Sequence, residues 1–376
     1  MRLVVLSNMA HYRRSDGIIV GHGATSRELS AVAALFDEVR HVACLHDEPA
    51  PASALPYSAD NIELVAVRPT GGPGVRDKLS ILSAMPEYVR VMRRELASAD
   101  AVHVRAPANI SLAAILLLQT RATPRRRWVK YAGSWSSHAD EPWSYTLQRK
   151  LLARTGHGAR VTVNGDSGGY AHVVSVPNPS LSDAELRRGA DSALAKALAS
   201  PVRLLFVGHF GAAKHPEVTI DVVAALRSLR VEAQLDLVGE GDADALHERA
   251  NQLGLANHVT IHGALPRPKI DDLYRVAHFV VLPSRTEGWP KVLGEGMAFG
   301  AVPLASGVGS IPLYLREATT GQVFSVPPDP DAYARAIAAY VADPDRWKRD
   351  SAHAVAGAAT FGYSRYVNTI RALLDV

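Results

Sequence analysis

Two glutamates eight positions apart, Glu287 and Glu295, stand in the segment PSRTEGWPKVLGEGMAFGAVP at residues 283–303. The apolar run FVVLP (279–283) leads into it and reads as a strand. Pro290 suits the first turn of a helix that follows. Glu287 then lies at the mouth of a loop and Glu295 one to two turns into the helix. A carboxylate accepts pairs of hydroxyl protons. A helix start offers partial positive charge and unbonded N–H groups to phosphate. Hydroxyls at one end and a diphosphate at the other describe a nucleotide sugar. Without further context, the same pair could be two solvated glutamates drawn to a helix start by its dipole.

The elements needed to hold such a site are legible in the chain's length and patterning. At 376 residues it exceeds what one ordinary core organises and fits two domains. Hydrophobic content of 47% with 21% charged residues is the balance of a soluble globular protein. The run LAAILLL (112–118) is far too short to cross a membrane. MRLVVLSN reads as a buried first strand and not as a secretory leader. Cys44 is the sole cysteine, so no intramolecular disulfide forms, and a reducing cytoplasm is the expected location.

The net charge of +4 is uneven. Residues 1–170 carry 21 Lys and Arg against 15 Asp and Glu, whereas residues 171–376 carry 20 against 22. The basic half includes Arg93, Arg94 and Arg125–Arg127. It is either ordinary solvated surface or a means of contacting anionic lipid headgroups, peripherally on the inner face of the plasma membrane. No nucleic-acid partner is expected, because no recognised binding motif and no aromatic-basic interleaving is present.

Short apolar runs alternate with longer amphipathic stretches, which predicts parallel sheets with helices on both faces. RLVVLS, VRHVACL, IELVAVR, AVHVRA, RWVKYAG and RVTVNG are the strands expected in the first half. VRLLFVG, AQLDLVG, HVTIHG, HFVVLP and AVPLAS are those of the second. The expected architecture is α/β, with two doubly wound Rossmann-like domains. Pro and Ser punctuation near 176–201 marks a boundary. The domains are placed at 1–179 and 180–358, with a last helical segment at 359–376.

Further candidates cluster after the predicted strands. VRLLFVGHFGAAKHPE (202–217) ends a strand at Gly208 and puts His209 and Lys214 in the loop before a helix. A lysine there could neutralise a diphosphate or be a plain surface residue. Gly239 and Gly241 close the next strand in LVGEGD, a turn common to many βα units. Ala264 and Leu265 follow another strand. In the first half, Gly17, Gly21 and Gly23 precede a helix for which Thr25 or Ser26 could serve as the cap. GSWSSHADEPWSY (133–145) mixes aromatics and hydroxyls around His138.

PSRTEGWP and EGMAFGAVP together resemble the E-x7-E signature of retaining GT-B glycosyltransferases, the group 1 or family-4-like set. The resemblance covers motifs over about 202–310 and is architectural elsewhere. It implies two Rossmann-like domains facing across a cleft, the final helix crossing back to the first domain. Glu287 would contact sugar hydroxyls near the reacting carbon, and Glu295 the donor ribose. Lys214 would grip the donor phosphates, with His209 standing where arginine is usual and His215 where glycine is. Gly208, Gly239 and Gly241 would let backbone approach the donor. Ala264 and Leu265 would meet the base. The N–H groups of Trp289, Lys291 and Val292, after Gly288, would face sugar or phosphate. Gly21 and Gly23 would form the first-domain loop near the phosphate, and His138 would stand in for a histidine usual at the preceding strand end. SGVGSIP (306–312) replaces the usual G-G-x-x-E and lacks its acid.

The resulting expectation is a retaining hexosyltransferase that moves sugar from a nucleoside-diphosphate donor to a saccharide or lipid-linked saccharide, in bacterial cell-surface polysaccharide or glycoconjugate synthesis. No metal and no cofactor beyond the donor is expected. The alternatives are a nucleotide-sugar epimerase or phosphorylase on the same fold, and a catalytically silent sugar-nucleotide-binding subunit.

Overall fold

The apolar runs become strands buried on both faces, which is why they read as continuous and not alternating. The computed structural model describes residues 1–51, 53–70, 75–133, 135, 141–154 and 158–376, with backbone alone at 75–79. By its internal contacts the chain forms two units, Met1–Pro177 with Tyr363–Val376, and Asn178–Gly362.

The first unit contains, in chain order, β1 (Arg2–Arg13), β2 (Ile19–His22), α1 (Gly23–Ala33), β3 (Glu38–His46), β4 (Ala54–Leu55), β5 (Ile62–Val67), α2 (Val75–Leu96), β6 (Ala101–Ala106), α3 (Asn109–Gln119), β7 (Arg126–Tyr131), α4 (Trp143–Leu152), β8 (Arg160–Val163) and β9 (Val173–Ser175). Strands β5, β3, β1, β6, β7, β8 and β9 lie side by side and parallel. β2 and β4 add an antiparallel extension at the far end of β1. Val4 and Leu6 face a core with α2 and α3, whereas Leu3 and Val5 face one with α1.

The face under α1 changes character along the strands. Leu3, Val39 and Ala101 give way to Ser7, His41 and His103, all buried. His11 Nδ1 lies 3.2 Å from Met9 O and 3.3 Å from Cys44 O, so that nitrogen must carry the proton. Tyr57 OH then donates to His11 Nε2 at 2.6 Å and accepts from His41 Nδ1 at 2.6 Å. Ser7 Oγ closes the chain by donating to His41 Nε2 at 2.7 Å. Each link leaves its neighbour one role, a pattern that fits neutral imidazoles at His11 and His41. Beside it Glu28, on α1, accepts from Arg105 at 2.7 Å and Lys130 at 2.8 Å. Burial alone would raise the Glu28 pKa, but Arg105 first and Lys130 next hold it well below the usual value.

The second unit contains α5 (Asp183–Leu194), β10 (Val202–Val207), α6 (Pro216–Ser228), β11 (Ala233–Val238), α7 (Ala243–Gln252), β12 (Val259–Gly263), α8 (Arg267–Val276), β13 (Phe279–Leu282), α9 (Lys291–Ala298), β14 (Val302–Ser306), α10 (Ile311–Glu317), β15 (Gln322–Phe324), α11 (Pro330–Ala342) and α12 (Pro344–Ala358). Its six strands are parallel in the order β12-β11-β10-β13-β14-β15. The order reverses between β10 and β13, the place where doubly wound sheets open a crevice at their carboxyl ends. α5 starts on a Ser182–Glu185 capping box. Past its end, Lys196 Nζ donates to Tyr274 O, Ala277 O and Phe299 O at 2.9, 2.8 and 2.6 Å, pinning the ends of α8 and α9. The last helix, α13 (Tyr363–Leu374), belongs to the first unit, where Tyr366 and Ile370 join the core under α1.

Several local expectations are revised. The glycine-rich stretch after the first strand is a hairpin, with Gly21 inside β2 and Gly23 opening α1. Neither Thr25 nor Ser26 caps that helix. His22 precedes it without a side-chain cap, and Ser26 Oγ donates inward to Leu55 O at 3.1 Å. Pro290 stands just before α9 in extended conformation, so the helix opens at Lys291. The unit boundaries fall at 178 and 363 in place of 180 and 359. Ser180 N and Leu181 N both donate to Phe361 O, at 2.9 and 3.2 Å, which ties both stretches to the second unit.

The neutral histidines make the stability of the first unit pH-dependent. Burial, first of all, holds His41 and His103 well below 6.5, and His11 also lies lowered. The unfolded chain therefore binds more protons than the folded one below about pH 6.5, and stability present above that pH is lost as pH falls. Thermal melting between pH 8 and 5 is expected to show a falling Tm below about 6.5. His41→Gln should flatten that fall; an unchanged slope would assign the effect elsewhere.

Candidate active site

The loops after β10 and β13 meet at the reversal point. β10 pairs with β13 through Leu204–Phe279 and Leu205–Val280. Beyond the strands, Arg285 N donates to Ala213 O at 2.9 Å, joining one loop to the other. Lys214 Nζ and Glu287 Oε1 form an ion pair across this junction. Ser284 Oγ donates to the same oxygen at 2.8 Å. The Glu287 side chain is 7% exposed and that of Lys214 28%. The cation is the more accessible partner, with three donors of which one faces the carboxylate.

The Lys214 loop is shaped by its neighbours. Lys214 N and His215 N both donate to Gly211 O, at 2.9 and 3.3 Å. His215 is left-handed at φ 51°, ψ 51°, immediately before Pro216 opens α6. That conformation is easiest for glycine, though histidine adopts it more readily than most residues. Its Nδ1 lies 2.6 Å from Glu217 Oε1, a local contact that supports the turn. His209 is exposed.

Gly208 and Gly239 are explained first by backbone packing. Gly208 N donates to Val238 O at 2.9 Å, and a Cβ on Gly239 would lie 1.7 Å from Gly208 O. Phe210 N donates to Glu240 O at 2.6 Å beside Gly241. The loops after β10 and β11 are thus in direct contact.

The Glu287 loop is held from its other side. Ser310 donates twice to Gly288 O, through N and Oγ, both at 2.9 Å. Gly309 is left-handed at φ 58°, and a Cβ there would lie 2.2 Å from Glu287 O. By contrast, a Cβ on Gly288 would meet nothing within 4 Å. Trp289 turns inward, stacked on Phe361 at 4.4 Å and edge-on to Tyr314 at 4.9 Å. Its indole anchors the loop, and only its backbone remains for a ligand. Lys291 and Val292 supply the first N–H groups of α9, which have no acceptor within the helix.

Glu295 lies in the second turn of α9. Arg267 Nη1 donates to its Oε1 at 2.7 Å and Tyr274 OH to its Oε2 at 3.2 Å. Arg267 also binds Asp271 at 2.7 Å and lies 3.6 Å from Glu185. Burial opposes the Arg267 charge, but Glu295 and Asp271 outweigh it and raise its pKa further. Ala264 is exposed and Leu265 packs partly on the core. Gly21 and Gly23 lie in the first unit, where Met9 and Ser53 occupy their Cβ directions. His138 lies outside the described residues.

The family model described as "Glycosyl transferases group 1" matches residues 195–356. Those residues form a group 1 glycosyltransferase domain. A D-inositol 3-phosphate glycosyltransferase of Catenulispora acidiphila is 33% identical over a segment covering 45% of this chain and 43% of that protein. The chain spans about half the length of the curated relatives it matches. Among solved structures, sucrose-phosphate synthase from Thermosynechococcus elongatus superposes with TM-score 0.68 and 19% identity, covering 99% of this chain and 98% of that one. HepE of Anabaena, in complex with UDP-glucose, gives 0.63 and 16%, covering 100% and 99%. These likenesses give the two sheets the GT-B fold.

Within the glycosyltransferase domain, the sequence reading missed Arg267, Tyr274, Ser284 and Ser310. Arg267 offered one local signal, an Asp four residues on, which any solvated helix might show. A separate hollow of about 300 Å³, lined by Tyr314, Glu317, Thr319, His353 and Phe361 among others, contains none of the predicted site residues.

The Lys214–Glu287 pair is expected to be energetically coupled. Removing one partner leaves the other charge part-buried. Fully buried pairs lose about 3–5 kcal/mol, and exposure of the lysine reduces that to about 1–2. Denaturant unfolding of Lys214→Met, Glu287→Gln and the double variant should give a coupling of about 1 kcal/mol. Additive losses would mean that the contact carries no energy.

Proposed function

We propose that the protein transfers a hexose-type sugar from a nucleoside-diphosphate donor to a hydroxyl acceptor, with retention. The Lys214–Glu287 pair carries this reading, because it sits at the reversal point of a group 1 glycosyltransferase domain. Lys214 neutralises the departing diphosphate while Glu287 accepts from sugar hydroxyls beside the reacting carbon. The bond from anomeric carbon to phosphate oxygen breaks, and one to the acceptor oxygen forms. The acceptor's proton passes to the leaving phosphate, so no separate protein base is required. Glu295 binds the donor ribose, and the opening N–H groups of α9 face the diphosphate. The proposed chemistry uses no metal.

UDP-glucose, held by HepE, is the first donor to test. D-inositol 3-phosphate, named for the sequence relatives, joins saccharides and lipid-linked saccharides as acceptors. A thermal-shift series with UDP-, GDP- and ADP-sugars should find one class that stabilises the protein, by about 2.7 kcal/mol at ~100 Kd. With that donor, Glu287→Gln should lower kcat at least about 100-fold while the variant remains folded at the assay temperature, and Glu295→Ala should chiefly raise donor KM. Unimpaired turnover by Glu287→Gln in a direct product assay would refute the role. Donor epimerised without acceptor would replace the reading with epimerisation. Binding with neither transfer nor donor hydrolysis would replace it with a silent subunit.

The same proposal includes peripheral contact with an anionic membrane. Among the described residues no helix is long and apolar enough to cross one. Helices α2, α3 and α4 share one core of the first unit, and their outer sides expose Leu82 (69%), Leu116 (46%) and Trp143 (74%). Exposed Arg90, Arg93 and Lys150 lie on α2 and α4. The protein should co-sediment with phosphatidylglycerol vesicles and not with phosphatidylcholine vesicles. Arg90→Glu with Arg93→Glu should weaken this at least about tenfold, at about 1 kcal/mol per basic residue. Binding indifferent to lipid charge would reject the surface.

A further inference from the structure

Glu295 is gripped on both oxygens by groups that the transfer chemistry does not use. Arg267 Nη1 occupies one position on Oε1 and Tyr274 OH one on Oε2, at 2.7 and 3.2 Å. A carboxylate oxygen can accept two hydrogen bonds. Each oxygen therefore keeps one acceptor position, and both belong to one carboxylate. Two adjacent acceptors on one rigid carboxylate match two adjacent hydroxyls of a vicinal diol.

The grip is itself supported. Arg267 is the first residue of α8, and its Nε is fixed by Asp271 at 2.7 Å, one turn along the same helix. Glu185, from the capping box of α5, stands 3.6 Å from Nη2. The guanidinium is thus set by two elements besides the helix carrying Glu295. Tyr274 is fully buried, and its ring stacks on Phe299 at 5.9 Å. Without Arg267, the Glu185, Asp271 and Glu295 carboxylates would lose their shared counter-charge, and like-charge repulsion would drive Glu295 from its place.

We propose that Arg267 is a positioning residue of the donor site. With Tyr274 it orients the Glu295 carboxylate so that its two remaining acceptor positions take the 2′ and 3′ hydroxyls of the donor ribose. The inference rests on the reading of Glu295 as the ribose contact. Arg267 acts through Glu295 and takes no part in bond making.

The test is a cycle between protein and ligand. UDP, GDP and ADP are titrated calorimetrically into wild type, Arg267→Met, Arg267→Lys and Tyr274→Phe, with circular dichroism recorded for each. The nucleotide that binds is then compared with its 2′-deoxy and 3′-deoxy forms. Wild type should lose at least about tenfold in affinity for each missing hydroxyl, as expected for bonds to a charged group. Arg267→Met should bind the parent nucleotide about tenfold or more weakly and should distinguish it from the deoxy forms by no more than about twofold. Arg267→Lys should recover part of that discrimination, and in turnover donor KM should move more than kcat. If Arg267→Met fails to fold, Tyr274→Phe carries the test through reduced discrimination. Wild-type discrimination in a folded Arg267→Met, or tighter binding by it, would overturn the proposal. If wild type binds none of the three nucleotides, the donor-site reading falls, and this inference with it. If wild type binds but does not distinguish deoxy forms, the inference alone falls.

Discussion

The parallel pairing of β10 with β13 constrains everything else in the second unit. Where the strand order reverses, the two neighbouring strands send their following loops in opposite lateral directions. The backbone between them opens at the carboxyl edge, and the side chains of both loops converge there. Lys214 is seven positions past the end of β10 and Glu287 five past the end of β13, yet the two touch. The bond from Arg285 N to Ala213 O shows that the loops themselves are joined, so the ion pair is not a chance meeting of long side chains. In the proposed reaction, a donor phosphate at Lys214 would meet a cation already oriented, with reorganisation limited to sharing its protons between two anions.

That junction is stiff because each loop leans on a third partner. Ser310 fixes Gly288 O through two donors, and Gly309 lies too close to Glu287 O for any side chain. Trp289 sinks into an aromatic cluster with Tyr314 and Phe361, while the Gly288 Cβ direction stays open. The loop thus alternates a fixed interior residue with an open one. The loss of the usual acid in SGVGSIP leaves this support intact, because the contacts use a glycine backbone and a serine.

How much of this was legible depended on whether the signal was local. Strands such as FVVL were plain because burial on both faces leaves no polar residue to blur them. Lys214, Glu287 and Glu295 were legible because residue type and spacing fell within two short segments. Arg267 was not, since an arginine four residues before an aspartate is what any exposed helix shows. Thr25 and Ser26 misled because capping propensity ignores tertiary demand, and Ser26 was claimed by Leu55 O across the sheet extension. The chain of Ser7, His11, His41 and Tyr57 had no spacing to find, because β1 supplies Ser7 and His11, β3 supplies His41 and the stretch after β4 supplies Tyr57, and these meet only when the sheet is assembled.

The two units solve the same electrostatic problem with opposite signs. In the second, one guanidinium is shared by carboxylates of α5, α8 and α9. In the first, one carboxylate of α1 is shared by Arg105 of β6 and Lys130 of β7, with Tyr366 of α13 donating to it at 3.0 Å. Buried ions are costly, and apolar residues of similar volume would often give equal stability. What apolar packing would not give is registry. A greasy contact tolerates a slide of an ångström or a turn of a helix, whereas charge-assisted hydrogen bonds fail at that displacement. Residues 28, 105, 130 and 366 span nearly the whole chain, so their convergence dictates where α13 docks. Arg126 extends the same specification by donating to Leu374 O at 3.0 Å. Because α13 is held in the first unit in this way, the chain passes between units twice, at 177–178 and 362–363. The polar network and the apolar core under α1 together hold the returning helix there.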